Sequence, residues 1–174
     1  MKLLRNQAVL IGLVCLAPVV LGWLAYRFQW GTGAAGNYGE LVEPRPLAAP
    51  PIAALKGKWV LVTFDPAACD ARCEKKLYTV RQIRRAQGKD MERIERLWLV
   101  TDGAKPREAL AAALEDAHVA AAPPRLALSF PGDPATDIYL VDPLGNLMMR
   151  YGADPEPAKM IKDLQRLLRY SRVG

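Results

Sequence analysis

The sequence predicts an α/β domain that follows an N-terminal transmembrane helix. Three observations predict this architecture. Residues 8–24 contain no charged side chain. Two apolar, β-branched runs, 59–64 and 97–101, each precede a stretch with helical character, and a strand–turn–strand pattern near the C-terminus precedes an amphipathic helix. Such alternation of strands and helices is typical of an α/β domain.

The composition is that of one globular domain with an appendage. The chain has 174 residues, of which 51% are hydrophobic and 24% charged, and its formal net charge is +6. Because Lys2, Arg5 and Arg27 flank the apolar run, the rest of the chain has only a small basic surplus, and we expect no nucleic-acid partner. Three cysteines are too few for a disulfide-dense scaffold, and the single histidine excludes a His-rich metal site.

Residues 1–30 are predicted to form a transmembrane anchor with a short cytoplasmic N-terminus. Seventeen helical residues span about 25 Å, which approaches the thickness of a hydrocarbon core. A cleaved signal peptide is the alternative, but its apolar core is usually about 7–15 residues long, and no small-residue cleavage site follows here. Because Lys2 and Arg5 with the amino terminus outweigh Arg27, we expect a single-pass protein of a bacterial inner membrane, with its C-terminal domain in the periplasm.

Residues 31–51 are predicted to be a linker between the anchor and the domain. This stretch contains four glycines and four prolines and has no hydrophobic periodicity. The predicted domain therefore comprises residues 52–174, which is enough chain for one hydrophobic core.

The first predicted strand, 59–64, ends at an Asp-Pro pair. A helix is predicted behind Cys73, because Leu77, Val80 and Ile83 recur at a spacing of three. The sequence therefore predicts a strand that leads directly into a helix whose apolar face packs on the sheet.

The second predicted strand, 97–101, is also followed by a predicted helix. Pro106 suits the first turn of this helix, and 109–114 has high helix propensity. Residues 119–130 are ambiguous because two adjacent prolines interrupt them, and a short strand at 125–129 is one interpretation.

The last third of the domain has the clearest pattern. Residues 138–141 and 147–151 are predicted strands, and the Asp-Pro-Leu-Gly-Asn sequence between them predicts a hairpin turn. A final helix is predicted over 155–170. Its buried stripe would consist of Met160, Ile161, Leu164, Leu167 and Leu168.

The predicted order is strand, helix, strand, helix, hairpin, helix. Right-handed crossovers would make the first two strands parallel, and the hairpin would complete the sheet. This is the thioredoxin-like arrangement, and the sequence therefore predicts a thioredoxin-like domain.

Cys69 and Cys73 lie where the first strand ends and the helix begins. If both are helical, their Cα atoms are roughly 6 Å apart, and a disulfide tolerates about 4.4–6.8 Å. The pair could therefore close and reopen, or its two sulfurs could hold a soft ion such as Cu(I). An inert brace is the third interpretation, but so short a loop would stabilise little. We interpret the pair as reactive, with Cys69 as the attacking thiol and Cys73 as the resolving thiol.

With these motifs in order, the chain resembles the Sco/SenC family, which are membrane-anchored thioredoxin-like proteins of cytochrome c oxidase assembly. The resemblance covers about residues 52–170. It is carried by 56–64 leading into the Cys-x-x-x-Cys pair, by 97–102, by 138–146 and by the N-terminal anchor. It implies either copper binding or reduction of a cysteine pair for the copper A centre. The implied partner is oxidase subunit II or another copper-assembly protein.

Two departures from the family pattern concern the site. Family members usually carry proline after the first cysteine, where this chain has Asp70, and a copper-ligating histidine about five residues before Tyr139, where it has Pro134. His118 is interpreted as a surface residue at the end of a predicted helix. Two thiolates could still hold Cu(I), whereas Cu(II) would lack an imidazole. Disulfide exchange needs an accessible thiolate and no third ligand.

The sequence thus favours a membrane-anchored thiol–disulfide oxidoreductase or assembly factor that requires no cofactor, with Cys69 and Cys73 as its catalytic residues. Two alternatives stay open. One is a copper chaperone in which the same two cysteines bind Cu(I), and the other is a non-enzymatic assembly scaffold.

Overall fold

The structure is a computed structural model, and it describes residues 2–28 and 36–173. It divides into two compact units, Met1–Gly36 and Asn37–Gly174. Residues 29–35, which include the end of the predicted anchor and the start of the predicted linker, lie outside the described residues.

The first unit contains one long helix, α1 (Lys2–Arg27), with Pro18 inside it. Within the described ranges, the segment Leu10–Arg27 is the one helical stretch that is long and apolar enough to cross a membrane, with a mean hydropathy of 1.8. The predicted N-terminal apolar helix is therefore confirmed. Its insertion into a membrane and its orientation stay predictions.

The second unit is built on a six-stranded mixed sheet with the order β1-β6-β5-β2-β3-β4. β2 is parallel to β3, and β3 is parallel to β4. β5 is antiparallel to β2, β6 to β5, and β1 to β6. The strands are β1 (Glu40–Pro46), β2 (Trp59–Asp65), β3 (Ile94–Val100), β4 (Ala117–Ala121), β5 (Ile138–Val141) and β6 (Asn146–Tyr151).

Helices cover the sheet and connect its strands. The α-helices of this unit are α2 (Pro50–Ala53), α3 (Ala71–Arg85), α4 (Ala111–Leu114) and α5 (Pro157–Tyr170). Short 3-10 helices lie at Gly88–Arg93, Glu108–Leu110 and Leu126–Ser129. The thioredoxin-like fold predicted from the sequence is confirmed, with β2 at its centre and all seven of its residues buried.

The alternation of side chains along β2 divides the core between the two faces of the sheet. Leu61 packs on one face with Val80 and Ile83 of α3 and with the apolar stripe of α5. On the opposite face, Val62 and Phe64 contribute to a second cluster. The helical spacing of its apolar residues decides which face of α3 packs on the sheet. Because only a short loop separates Asp65 from Ala71, the N-terminus of α3 lies beside the carboxyl end of β2.

The structure corrects the predicted linker. β1 forms in the second half of residues 31–51 and pairs with β6 at the edge of the sheet. An edge strand tolerates Pro44 because one side of its backbone needs no partner. Asp163 of α5 accepts hydrogen bonds from the backbone N–H groups of Tyr38 and Gly39, each at 2.8 Å. The globular unit therefore begins near residue 37 and not at residue 52.

The connection between β3 and β4 also differs from the prediction. The helix expected from Pro106 onward is reduced to a single 3-10 turn followed by the four-residue α4. Ala117–Ala121 forms β4, because pairing with β3 outweighs the helix propensity of the alanines around it. Leu126–Ser129 is a 3-10 turn and not a strand.

Candidate functional site

The candidate site lies at the carboxyl end of β2, where the chain turns into α3. β2 ends at Asp65, and α3 begins at Ala71 after a short loop. Asp70 caps the helix, because its carboxylate accepts a hydrogen bond of 2.9 Å from the backbone N–H of Cys73. Cys69 therefore precedes the helix and Cys73 lies in its first turn, so the two cysteines are not both helical as the distance prediction assumed.

Cys69 and Cys73 form a disulfide, with their Cα atoms 5.2 Å apart. Cys69 has a φ of 44°, which lies in the left-handed region that non-glycine residues seldom occupy. A turn holds this conformation, because the backbone N–H of Cys69 donates to the carbonyl of Pro66 at 3.0 Å. The pair can therefore form the bond that the spacing predicted. Its catalytic role stays a prediction.

The disulfide is shielded from solvent. Cys69 and Cys73 are each 1% exposed, and they pack in a cluster with Trp98 and Leu110. Leu110 belongs to residues 102–114, between β3 and β4, which we call the cover segment. From the sequence we expect accessible thiols, because disulfide exchange requires them. The structure corrects this expectation, because both cysteines are buried in an apolar cluster that includes Leu110 of the cover segment.

Arg107 fastens the cover segment to the cysteine loop. Its guanidinium Nη2 donates to the carbonyl oxygen of Cys69 at 2.6 Å and to Glu74 Oε1 at 2.6 Å. The Arg107 and Glu74 side chains are each about half exposed, so water can compete for the ion pair. Sequence reasoning missed this contact because the two residues are 33 positions apart.

Asp102 fixes the start of the cover segment. Its carboxylate accepts hydrogen bonds from the backbone N–H groups of Ala67 and Ala104, at 3.1 Å each. These bonds, the one from Ala67 above all, lower the pKa of Asp102. The cover segment is thus attached to the β2–α3 loop at its first residue and again at Arg107.

A buried ion pair lies beneath the start of α3. Lys76 Nζ is 2.8 Å from Asp65 Oδ2, and their side chains are 6% and 1% exposed. The Lys76 ammonium also donates to the carbonyls of Phe64 at 3.2 Å and Ala135 at 2.7 Å. Burial raises the pKa of Asp65 even though Lys76 opposes the shift. The pair ties α3 to the end of β2 and to the loop before β5.

The His118 side chain contacts a glutamate and not the cysteine pair. It lies on the edge strand β4, where its half-exposed ring contacts Glu95 Oε2 at 3.2 Å. The interpretation as a surface residue is confirmed, and the predicted helix end is wrong. Within residues 2–28 and 36–173, no group of three or more His, Cys, Asp or Glu side chains is arranged to hold a metal. Once reduced, the two cysteine sulfurs fit the soft, low-coordinate ion Cu(I), whereas Cu(II) would lack an imidazole ligand.

The fold and the closed cysteine pair beyond β2 define a thioredoxin-like protein. The family model described as "Transmembrane-like, thioredoxin-like, C-terminal domain" matches residues 59–171. The chain belongs to this family. No curated protein matches the sequence.

Several solved Sco structures are similar to this chain. Copper-bound ScoI from Bradyrhizobium japonicum is 22% identical, with a TM-score of 0.51, over 66% of this chain and 88% of that one. Copper-bound yeast Sco1 is 16% identical, with a TM-score of 0.56, over 69% and 84% of the two chains. Apo Sco1 from Thermus thermophilus is 18% identical, with a TM-score of 0.55, over 76% and 95%. The predicted Sco/SenC resemblance is confirmed, and at these identities it shows a shared fold.

Proposed function

We propose that the chain is a membrane-anchored thiol–disulfide oxidoreductase that acts in cytochrome c oxidase assembly, where it reduces the cysteine pair of subunit II before copper A is built. The observation that supports this most directly is the Cys69–Cys73 disulfide at the junction of β2 and α3. A disulfide that closes so short a loop adds little to the stability of the fold. A chemical role therefore accounts for it better than bracing.

In the proposed exchange, the Cys69 thiolate attacks one sulfur of the partner's disulfide. The partner's S–S bond breaks, its second sulfur leaves as a thiolate that takes up a proton, and a mixed disulfide forms. The Cys73 thiolate then attacks Cys69 Sγ, which releases the first partner sulfur and closes the intramolecular disulfide. Two electrons thereby pass to the partner, and a separate dithiol reductant must return the chain to its reduced form.

The position of Cys69 at the start of α3 favours it as the attacking residue. Cys69 precedes the N-cap of α3, where the positive end of the helix dipole favours a thiolate. The Arg107 guanidinium lies 2.6 Å from the Cys69 carbonyl oxygen, but its charge is compensated by Glu74 at 2.6 Å. Cys73 lies one turn farther into the helix, within reach of the mixed disulfide that Cys69 would form.

Exchange requires that the cover segment open, because a cysteine residue that is 1% exposed admits no second thiol. Opening breaks the two contacts of Arg107 and uncovers Leu110. The helices in the cover segment have three and four residues, so few backbone hydrogen bonds hold it. Local opening therefore costs much less than unfolding the domain.

The membrane tether belongs to the same proposal. The described apolar side chains of α1 are largely exposed within its own unit, as expected for a helix that lipid surrounds. We assign residues 1–30 as the anchor, with the N-terminus in the cytoplasm and the domain in the periplasm. The globular domain begins at the hydrogen bonds from Tyr38 and Gly39 to Asp163, and we expect the tether to end there.

Trapping of the mixed disulfide tests the proposal. The full chain with Cys73→Ser, expressed in cells that assemble the oxidase, is expected to accumulate a reductant-sensitive adduct with subunit II that Cys69→Ser lacks. Reduced full chain in detergent should also reduce the oxidised subunit II pair, and Cys15→Ser serves as the matched control. Absence of both the adduct and the reduction would reject the proposed reaction.

Transport of Cu(I) is the second candidate, with copper as cargo. The two soft sulfur ligands lie within bonding distance of each other, which favours this candidate. After reduction, both sulfurs would be available to one two-coordinate Cu(I) ion. Reduced full chain should then bind one Cu(I) against a weak chelator, and Cys69→Ser and Cys73→Ser should each abolish binding. Failure to compete with the chelator would dismiss this candidate.

The third candidate is a scaffold whose cysteines have no chemical role. The burial of both cysteines in an apolar cluster favours it. It predicts that the Cys69→Ser/Cys73→Ser variant supports oxidase assembly as the wild type does. Loss of assembly with a folded double variant would exclude it.

A further inference from the structure

A cavity of about 380 Å³ lies beside the N-terminal half of α3. α3 forms one wall, the loop leading into β5 forms the second, and Ala153–Pro155, between β6 and α5, forms the third. The volume is within the range of about 300–1,000 Å³ that is usual for ligand sites. The cavity is therefore large enough to take one or two side chains of another molecule.

The cavity adjoins the disulfide. Ala71 and Arg72, which line it, are residues of the five-residue loop that Cys69 and Cys73 close. The lining between the charged groups is apolar and includes Ala71, Ile138 and Pro155. A ligand in the cavity would consequently hold the adjoining chain close to the cysteines.

The charges around the cavity are mostly positive. Arg72, Lys75 and Lys76 line it with a single carboxylate, Asp154. Lys76 is neutralised by Asp65. Among the residues that the structure describes, Arg72 has no carboxylate within ion-pair distance. The cavity therefore offers an anionic ligand one cation that forms no salt bridge among the described residues, although its charge also acts on the buried Asp65.

A second cation can be released to the ligand. Lys75 Nζ contacts Asp154 Oδ1 at 2.6 Å, and the two side chains are 64% and 73% exposed. So exposed a pair contributes little to stability, and an incoming carboxylate can replace Asp154 at low cost. Asp154 thus acts as an internal competitor for the anion.

We propose that this cavity binds an acidic peptide segment of the redox partner. One apolar side chain of the peptide enters the cavity, and a neighbouring carboxylate pairs with Arg72 and Lys75. This inference extends the proposed function, since it states what kind of segment brings the partner's cysteines to the site. Binding itself does not require Cys69 or Cys73.

The test is the binding of a fluorescein-labelled ten-residue peptide, with a leucine between two glutamates in a glycine–serine background. Its anisotropy is measured with the full chain in a neutral detergent. Arg72→Gln should weaken binding roughly tenfold, as expected for loss of a charge-assisted contact. Arg169→Gln, which removes a charge outside the cavity, should change it less than twofold. Asp154→Asn should tighten binding several-fold, because it frees Lys75.

Any one of three results with the peptide alone would overturn the proposal. They are an Asp154→Asn variant that binds no more tightly, equal losses with Arg72→Gln and Arg169→Gln, and unchanged binding when glycine replaces the peptide's leucine. Octanoate that displaces the peptide at equal concentration would show that the site takes a free aliphatic carboxylate and would also overturn it. The Cys69→Ser/Cys73→Ser variant should bind the peptide as the wild type does. This separates failure of docking from failure of the redox reaction.

Discussion

Removal of the Arg107 side chain should speed reduction of the Cys69–Cys73 disulfide. Arg107→Ala deletes the contacts to the Cys69 carbonyl and to Glu74 while leaving Leu110 in the apolar cluster that contains the cysteines. The cover segment would stay in place but open more often. Lys105→Ala is the matched control, because it removes an exposed cation from the same segment.

The size of the effect follows from the two contacts. A hydrogen bond from a charged donor to a carbonyl contributes about 1–1.5 kcal/mol at a partly exposed site. The ion pair with Glu74 adds roughly 0.5 kcal/mol, because both partners are about half exposed. Their sum of about 1.5–2 kcal/mol corresponds to a population of the open state about 10–30 times larger. The rate of reduction should rise by the same factor if the cover closes faster than the reductant attacks.

The assay follows reduction of the full chain by excess dithiothreitol, with acid quenching and a mass-tagging maleimide that counts free thiols. Glu74→Gln should accelerate reduction by less than Arg107→Ala, since it removes the weaker contact. Equal rates for wild type, Arg107→Ala and Lys105→Ala would refute the reasoning. Reduction would then depend on unfolding of the domain, and sub-denaturing urea would accelerate all three alike.

Three further predictions concern stability, each measured by urea unfolding of the full chain. Lys76→Met should lower the free energy of unfolding by about 3–5 kcal/mol, because it leaves the buried Asp65 carboxylate without its cation. Lys75→Met removes an exposed ion pair and should cost less than about 1 kcal/mol. Equal losses in the two variants would contradict the buried pair. Gly39→Val should lower the free energy of unfolding by about 1–3 kcal/mol, since its Cβ would lie 2.5 Å from the sulfur of the buried Met149. Gly152→Val is the control, because a Cβ there meets no atom within 4 Å. Similar losses in the two variants would mean that the segment leading into β1 is not packed as described. The pKa of Asp102 is lowered on folding, so the stability that its carboxylate contributes is present above the ordinary Asp value of 3.8 and is lost as the pH falls through the lowered pKa. Asp102→Asn should lack this part of the acid dependence of stability. Identical profiles of stability against pH for the variant and the wild type would refute the prediction.

The elements that could be predicted from the sequence are those whose pattern is local. β2 and β3 are continuous apolar runs, and α3 and α5 repeat their apolar residues with helical spacing. β1 could not be recognised, because its prolines and the glycines before it have the composition of a linker. Its position depends on β6 and on Asp163, more than 100 residues away in the chain. β4 was missed for a similar reason, since a segment of only five residues becomes a strand only by pairing with β3.

The sequence was sufficient to predict which two cysteines come together, but not that they are buried. The spacing of Cys69 and Cys73 was sufficient to predict that a disulfide could close. Asp70 departs from the Sco pattern, and its structural reason, capping of α3, becomes visible only once the start of the helix is known. The apolar cluster that buries the pair includes Leu110, which is 37 residues beyond Cys73 and lies in a segment without regular periodicity. Contacts of this kind are set by tertiary packing and leave no local signal.

Opening of the cover segment also separates the three candidate functions. Disulfide exchange and Cu(I) loading both need the sulfurs of Cys69 and Cys73 to be reached, so Arg107→Ala should accelerate both, and by a similar factor. A scaffold needs neither sulfur, and its support of oxidase assembly should be indifferent to Arg107. Exchange differs from copper loading in its dependence on the partner, because only exchange leaves a mixed disulfide when Cys73 is serine. A single pair of variants, Arg107→Ala and Cys73→Ser, therefore distinguishes all three roles in the full chain.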